Sequence, residues 1–155
     1  MTYSIQGLDP ASFAPLFAMT AAELAGQRAV RVFADSDRGF PCRVSLTDAA
    51  AGDELVLLHH TNHAVETPYR SAYAIFVRRD AAQARYVDCV PPVFEGRPLG
   101  LRGFDAGGIL RDARLALPGQ AEAKILELLA NPAIAYIDAH NAAHGCFAAR
   151  IDRHD

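Results

Sequence analysis

The residue pattern predicts an α+β fold: a mostly antiparallel, curved sheet of about seven strands with two or three helices on one side. Two observations carry this expectation. Short runs of strand-like alternation recur along the chain, while helical periodicity is confined to a few segments. Only turn-forming punctuation separates these elements, with no repeat, low-complexity tract or linker. The 155 residues, 51% apolar and 21% charged, suit one globular domain spanning residues 1–155. A chain of this size buries roughly 68–70% of its unfolded surface, enough to fold without staples.

The elements follow in order. Tyr3–Gly7 reads as a short strand. Asp9-Pro10 is an N-cap followed by proline at the first helical position, opening a helix to about Phe17. Thr20-Ala21-Ala22-Glu23 is a capping box for a second helix that stops at Gly26. Arg28–Ala34 alternates, with Val30 and Val32 on one face. Cys42–Leu46 reads as a short strand and Leu55–Leu58 as a strand covered on both faces. Ala72–Arg79 places Tyr73, Ile75 and Val77 together, and Arg85–Val90 runs until Pro91-Pro92 stops it. Leu99–Phe104 and Ile109–Leu117 form a hairpin around Asp105-Ala106-Gly107-Gly108. In Gln120–Ala130, Ala121, Ile125, Leu128 and Leu129 recur at helical spacing, and Asn131-Pro132 ends the helix. Ile134–His140 reads as a strand with Tyr136, Asp138 and His140 on one face. A helix from Pro132 to Gly145 is the alternative.

Composition excludes several chemistries. A net charge of −3 gives nucleic acid no attraction, and no apolar run approaches a membrane span. Fourteen of the fifteen basic residues are Arg, and Lys124 lies outside any Gly-rich turn, so neither a P-loop nor a Schiff base is expected. Cys42, Cys89 and Cys146 contain no chelating pair, and the opening Thr2-Tyr3-Ser4-Ile5 lacks a signal-peptide pattern. Reduced thiols in the cytoplasm follow. His59-His60-Thr61-Asn62-His63 reads as a solvated loop rather than a ligand set. Asp35–Gly39 fails as a calcium loop because its glycine is misplaced and its twelfth position is Leu46. No metal ion and no cofactor is expected.

Two segments concentrate functional side chains. Gly39-Phe40-Pro41-Cys42-Arg43 sets a thiol beside a guanidinium, and positive charge favours the nucleophilic thiolate; the alternative is a buried structural cysteine. His140 to Arg150 holds two imidazoles, an amide, a thiol and a guanidinium around Gly145. If the hairpin loop has an odd number of residues, His140 pairs with Cys146 and Asp138 stands behind it. If the number is even, Asn141 takes that place. Cys146, His140 and Cys42 are therefore the candidate catalytic residues. Arg43, Arg70, Asn141 and Arg150 are candidates for binding a small anionic ligand near Cys42 and the hairpin. Glu66 and Asp152 are the nearest acidic partners in sequence for Arg70 and Arg150.

The segments GLDPASFAPLF, GFPCRVSL, GDELVLL, TPYRSAYAIFVR and YIDAHNAAHGCFAARIDR, in that order, resemble the DUF1203 family of small bacterial domains of unknown function. The resemblance implies a bacterial, soluble, single-domain protein and brings no reaction, cofactor or catalytic residue. In the family, the C-terminal stretch is richer in β-branched residues before the His-Asn pair, which supports the strand reading. Asp138 stands where a histidine is common and His144 where proline is common, which weakens a shared metal site at either position. Three functions remain: a small-ligand binder, a thiol- or imidazole-dependent enzyme, and a structural or protein-interaction module.

Overall fold

The computed structural model describes residues 2–154. Its strands are β1 (Thr2–Gln6), β2 (Ala29–Phe33), β3 (Glu54–His63), β4 (Ser71–Arg78), β5 (Arg85–Val87), β6 (Leu99–Phe104), β7 (Leu110–Ala116), β8 (Tyr136–Asn141) and β9 (Phe147–His154). Its α-helices are α1 (Ala21–Gly26) and α2 (Ala121–Leu129). The class is α+β, as expected, but the nine strands form two open sheets rather than one of about seven. A six-stranded sheet runs β5-β1-β9-β8-β6-β7, and a three-stranded sheet runs β2-β3-β4. Every named ladder is antiparallel.

Strand alternation gives the large sheet two unlike faces. One carries Ile5, Leu99, Leu101, Ile137, Ala139, Ala149 and Ile151 into a core with Ile125, Leu128 and Leu129 of α2. Each fully buried Leu or Ile side chain among these stabilises the fold by about 1.5–3 kcal/mol. Gly103 keeps this face open for Ile134: a Cβ there would lie 2.6 Å from Ile134 Cδ1. Arg153 reaches back to donate to the carbonyls of Leu129 (2.8 Å), Asn131 (3.0 Å) and Ile134 (3.0 Å), satisfying groups that the end of α2 leaves open. The opposite face carries Tyr136, Asp138 and His140 from β8 with their cross-strand neighbours Phe104 and Arg102 from β6 and Arg150 and Asp152 from β9.

The small sheet packs Val56, Ile75 and Val77 against Phe13, Leu16 and Leu24 in a second core. Three local expectations are corrected. The helix expected from Pro10 to Phe17 is two 3-10 turns, Pro10–Ser12 and Ala14–Ala18. Pro15 has no N–H for the α-helical bond and its ring crowds the preceding turn. Cys42–Leu46 is not a strand: only isolated bridges, Pro41 with Asp48 and Cys42 with Phe76, flank a turn in which Leu46 takes φ 54°. Its apolar alternation reflects a plug between cores, with Val44 in the second and Leu46 in the first. The backbone of this plug bonds instead to Leu8, Ala84 and Val93. Finally, the histidine-rich segment after Leu58 is not a loop but the continuation of β3 to His63.

Candidate functional site

Arg43 brings the two segments richest in functional groups together. Its side chain is buried and donates Nε to the Phe147 carbonyl (2.8 Å), Nη1 to the Pro41 carbonyl (2.5 Å) and Nη2 to Cys146 Sγ (3.1 Å). Asn141 Nδ2 donates to the same sulfur at 3.3 Å. Cys42 is buried on its own and its sulfur accepts the Arg78 amide at 3.3 Å. The crevice between Pro41, Cys42, Arg43, Val93, Asn141 and Ala148 has no room for a water molecule. The ligand pocket expected beside Cys42 is therefore filled by protein, and Arg43 spends its donors internally.

The β8–β9 connection settles the loop parity left open above. Asn141 and Cys146 bracket four residues, the Asn141 amide donates to the Cys146 carbonyl (2.9 Å), and His140 lies opposite Phe147. Asn141, not His140, is thus the neighbour of Cys146. A bulge between Ala139 and His140 then shifts the register so that Asp138 stands opposite Arg150. The His140 ring instead bonds through Nδ1 to the Gly145 carbonyl at 2.9 Å.

An open cleft of about 350 Å³ lies on the polar face of the large sheet. His140, Asp138, Arg102 and Phe104 line it from β8 and β6, while Asn62 and His63 come from the end of β3. Pro68, Tyr69 and Arg70 close its other side. A second bulge, between Thr61 and His63, re-aims the end of β3 here. His63 donates Nδ1–H to the Tyr69 carbonyl (2.8 Å), because a carbonyl can only accept. Its Nε2 then accepts from the Tyr136 hydroxyl at 2.7 Å. Burial, the main cause, pushes the Tyr136 phenol above its ordinary value, which keeps that proton in place.

Charge pairing within the cleft is uneven. Arg150 forks onto Asp138 at 2.8 and 3.1 Å and stacks its guanidinium 4.3 Å from the centre of the Tyr136 ring. Arg70 pairs with Glu66 at 3.1 Å, but the Glu66 side chain is 95% exposed, so that pair is weak. Arg102 is the cross-strand neighbour of Asp138, whose carboxylate Arg150 already occupies. Arg102 is half-buried, and its guanidinium has no hydrogen-bond or salt-bridge partner among the described residues. Asn62 Nδ2 is a buried donor without a partner among the described residues. Burial, chiefly, and the charge of Arg102 hold the His140 imidazole below its ordinary value against the bond to Gly145. With Nδ1–H on the Gly145 carbonyl, Nε2 is an acceptor without a partner among the described residues.

Of the expected site residues, Arg70 and His140 line this cleft; Arg150 reaches it through Asp138 and Tyr136; Arg43, Cys42 and Asn141 line the sealed crevice, and Cys146 is bonded to Arg43 and Asn141. Asn62, His63 and Arg102 were not anticipated. Continuation of the alternating pattern past Leu58 was the signal for the first two. Arg102, inside a hairpin strand, carried no local signal. Among the described residues no three His, Cys, Asp or Glu side chains converge as a metal site, and no helix is long and apolar enough to cross a membrane.

A family model described as "Protein of unknown function (DUF1203)" matches residues 39–153. No curated protein and no solved structure matches the chain.

Proposed function

We propose, for a chain that belongs to the DUF1203 family, that the cleft between β3, β6 and β8 binds a small anionic molecule. The observation that carries this reading is Arg102: a half-buried arginine on the cleft wall whose cross-strand carboxylate is committed to Arg150. Arg102 has no counter-charge among the described residues, and a bound anion would supply one in a charge-assisted, geometrically specific pairing. Asn62 lines the same cleft from β3, and its buried Nδ2 has no partner among the described residues, an orphaned donor of the kind that calls for one. The cleft also falls within the size range of small-molecule sites.

An enzyme using Cys146 with His140 is less well supported, because the hairpin sets Cys146 beside Asn141 and encloses its sulfur between Asn141 and Arg43. A thermal-shift screen with inorganic phosphate, acetate and phenylacetate tests the anion reading. At least one of these should raise the melting temperature of the wild type and lose most of that effect in Arg102→Met. Equal responses from both proteins, or none from either, would count against it.

A further inference from the structure

We propose that the anion is an α-hydroxy acid with an apolar body: its carboxylate is held by Arg102, its hydroxyl donates to Nε2 of His140, and its body lies against Pro68, Tyr69 and Leu110. This deepens, and rests on, the anion-binding reading of the same cleft. The geometry begins with the imidazole. Nδ1–H is occupied by the Gly145 carbonyl, so the remaining ring atom of His140 presents a lone pair. That lone pair repels a bare carboxylate or phosphate oxygen and needs a donor on the ligand.

The spacing suits one small molecule. Arg102 stands opposite Asp138, and His140 is the next residue along β8 on the same face, about 6–7 Å further on. A flexible arginine can bridge that step, so one ligand meets a cation and an acceptor together. Opposite His140 is Gly100, and a Cβ built there meets nothing within 4 Å, which leaves open space beside the ring.

The kind of donor follows from the charges. An ammonium group would satisfy Nε2 but would bring a cation next to Arg102, while Asp138 is already forked by Arg150. A neutral hydroxyl has no such penalty. The neutral form of His140 near pH 7 agrees with this arrangement, since burial and the Arg102 charge both disfavour the imidazolium. The apolar part follows from Pro68, Tyr69 and Leu110 on the remaining wall.

The test compares mandelate, phenylacetate and phenylglycine, which share a ring and a carboxylate and differ only at the α position. Dissociation constants come from isotope-edited NMR titrations of the full chain. In the wild type, mandelate should bind roughly 5- to 10-fold tighter than phenylacetate, the gain of one hydrogen bond, and phenylglycine most weakly. The mandelate advantage should vanish in His140→Phe. Gly100→Val adds bulk where a Cβ has no neighbour within 4 Å, suits a strand and should weaken mandelate more than phenylacetate, which keeps the test decisive if His140→Phe fails to fold. Equal affinity for mandelate and phenylacetate in the wild type, or tightest binding of phenylglycine, would overturn the hydroxy-acid assignment and leave anion binding standing. So would phosphate binding without any of the three acids. Failure of all three acids and of phosphate would overturn the anion reading itself.

Discussion

Four arginines of this chain bear on the candidate site, and their surroundings set them apart. Arg43 is consumed by two carbonyls and a sulfur, Arg150 by a buried carboxylate, and Arg70 by an exposed one. Arg102 has none of these. Proximity to a motif in sequence selected the first three and passed over the fourth, because on β6, β8 and β9 the cross-strand register, not neighbours along the chain, pairs Arg150 with Asp138 and leaves Arg102 without a carboxylate. His140 was legible as a candidate, yet its partner was not, since a loop of even length and a bulge decide which side chain meets Cys146. The state of His140 has a measurable consequence. Arg102, Asp138 and His63 face the ring, and burial dominates their combined effect, holding the imidazole below its value in the unfolded chain. The unfolded state therefore binds the extra proton first, so this contribution to stability is complete above about pH 6.5 and lost as pH falls towards the folded value. His60, also held down by burial and by Arg43, acts in the same direction. Urea midpoints should fall on acidification below about pH 6.5, and His140→Gln should flatten that slope; an unchanged slope would contradict it.

Elements with strong local signals were readable in advance. The apolar stripe of α2 and the β6–β7 hairpin around its Gly-rich turn appear where the pattern placed them, give or take a residue or two, while at Ile134–His140, where strand and helix were both open, the strand β8 forms. Segments decided by tertiary contact were not. Cys42–Leu46 carries strand-like alternation because it is buried from two sides, and Arg43 within it clamps the start of β9. Arg43→Met should therefore act on this element more than on any ligand. Removing the donors leaves the Pro41 and Phe147 carbonyls unpaired, at a cost of about 3 kcal/mol. Hydrogen exchange should show the faster opening at the Asn141 amide, which bonds to Cys146 across the hairpin. A loss below about 1 kcal/mol would mean that the clamp contributes little.

At the scale of the molecule, the cleft exists because the two sheets meet unevenly. The apolar face of the large sheet is covered by α2, whereas its polar face is only partly covered by the end of β3 and the 64–70 loop. Alternation along β8 announced that one face would be polar. Nothing in the sequence announced which strand of the other sheet would cover it, because that depends on a contact between elements about 75 residues apart, such as His63 with Tyr136. The central claim is that Arg102 holds an anion in this cleft. The most direct measurement is an NMR titration of wild type and Arg102→Met with inorganic phosphate and phenylacetate, paired with urea unfolding of both proteins. The account predicts saturable shifts at the amides of Asn62, Arg102 and His140, at least tenfold weaker binding in the variant, and stability changed by less than about 0.5 kcal/mol. Shifts centred on Cys42 and Arg43, or binding that survives in Arg102→Met, would contradict it.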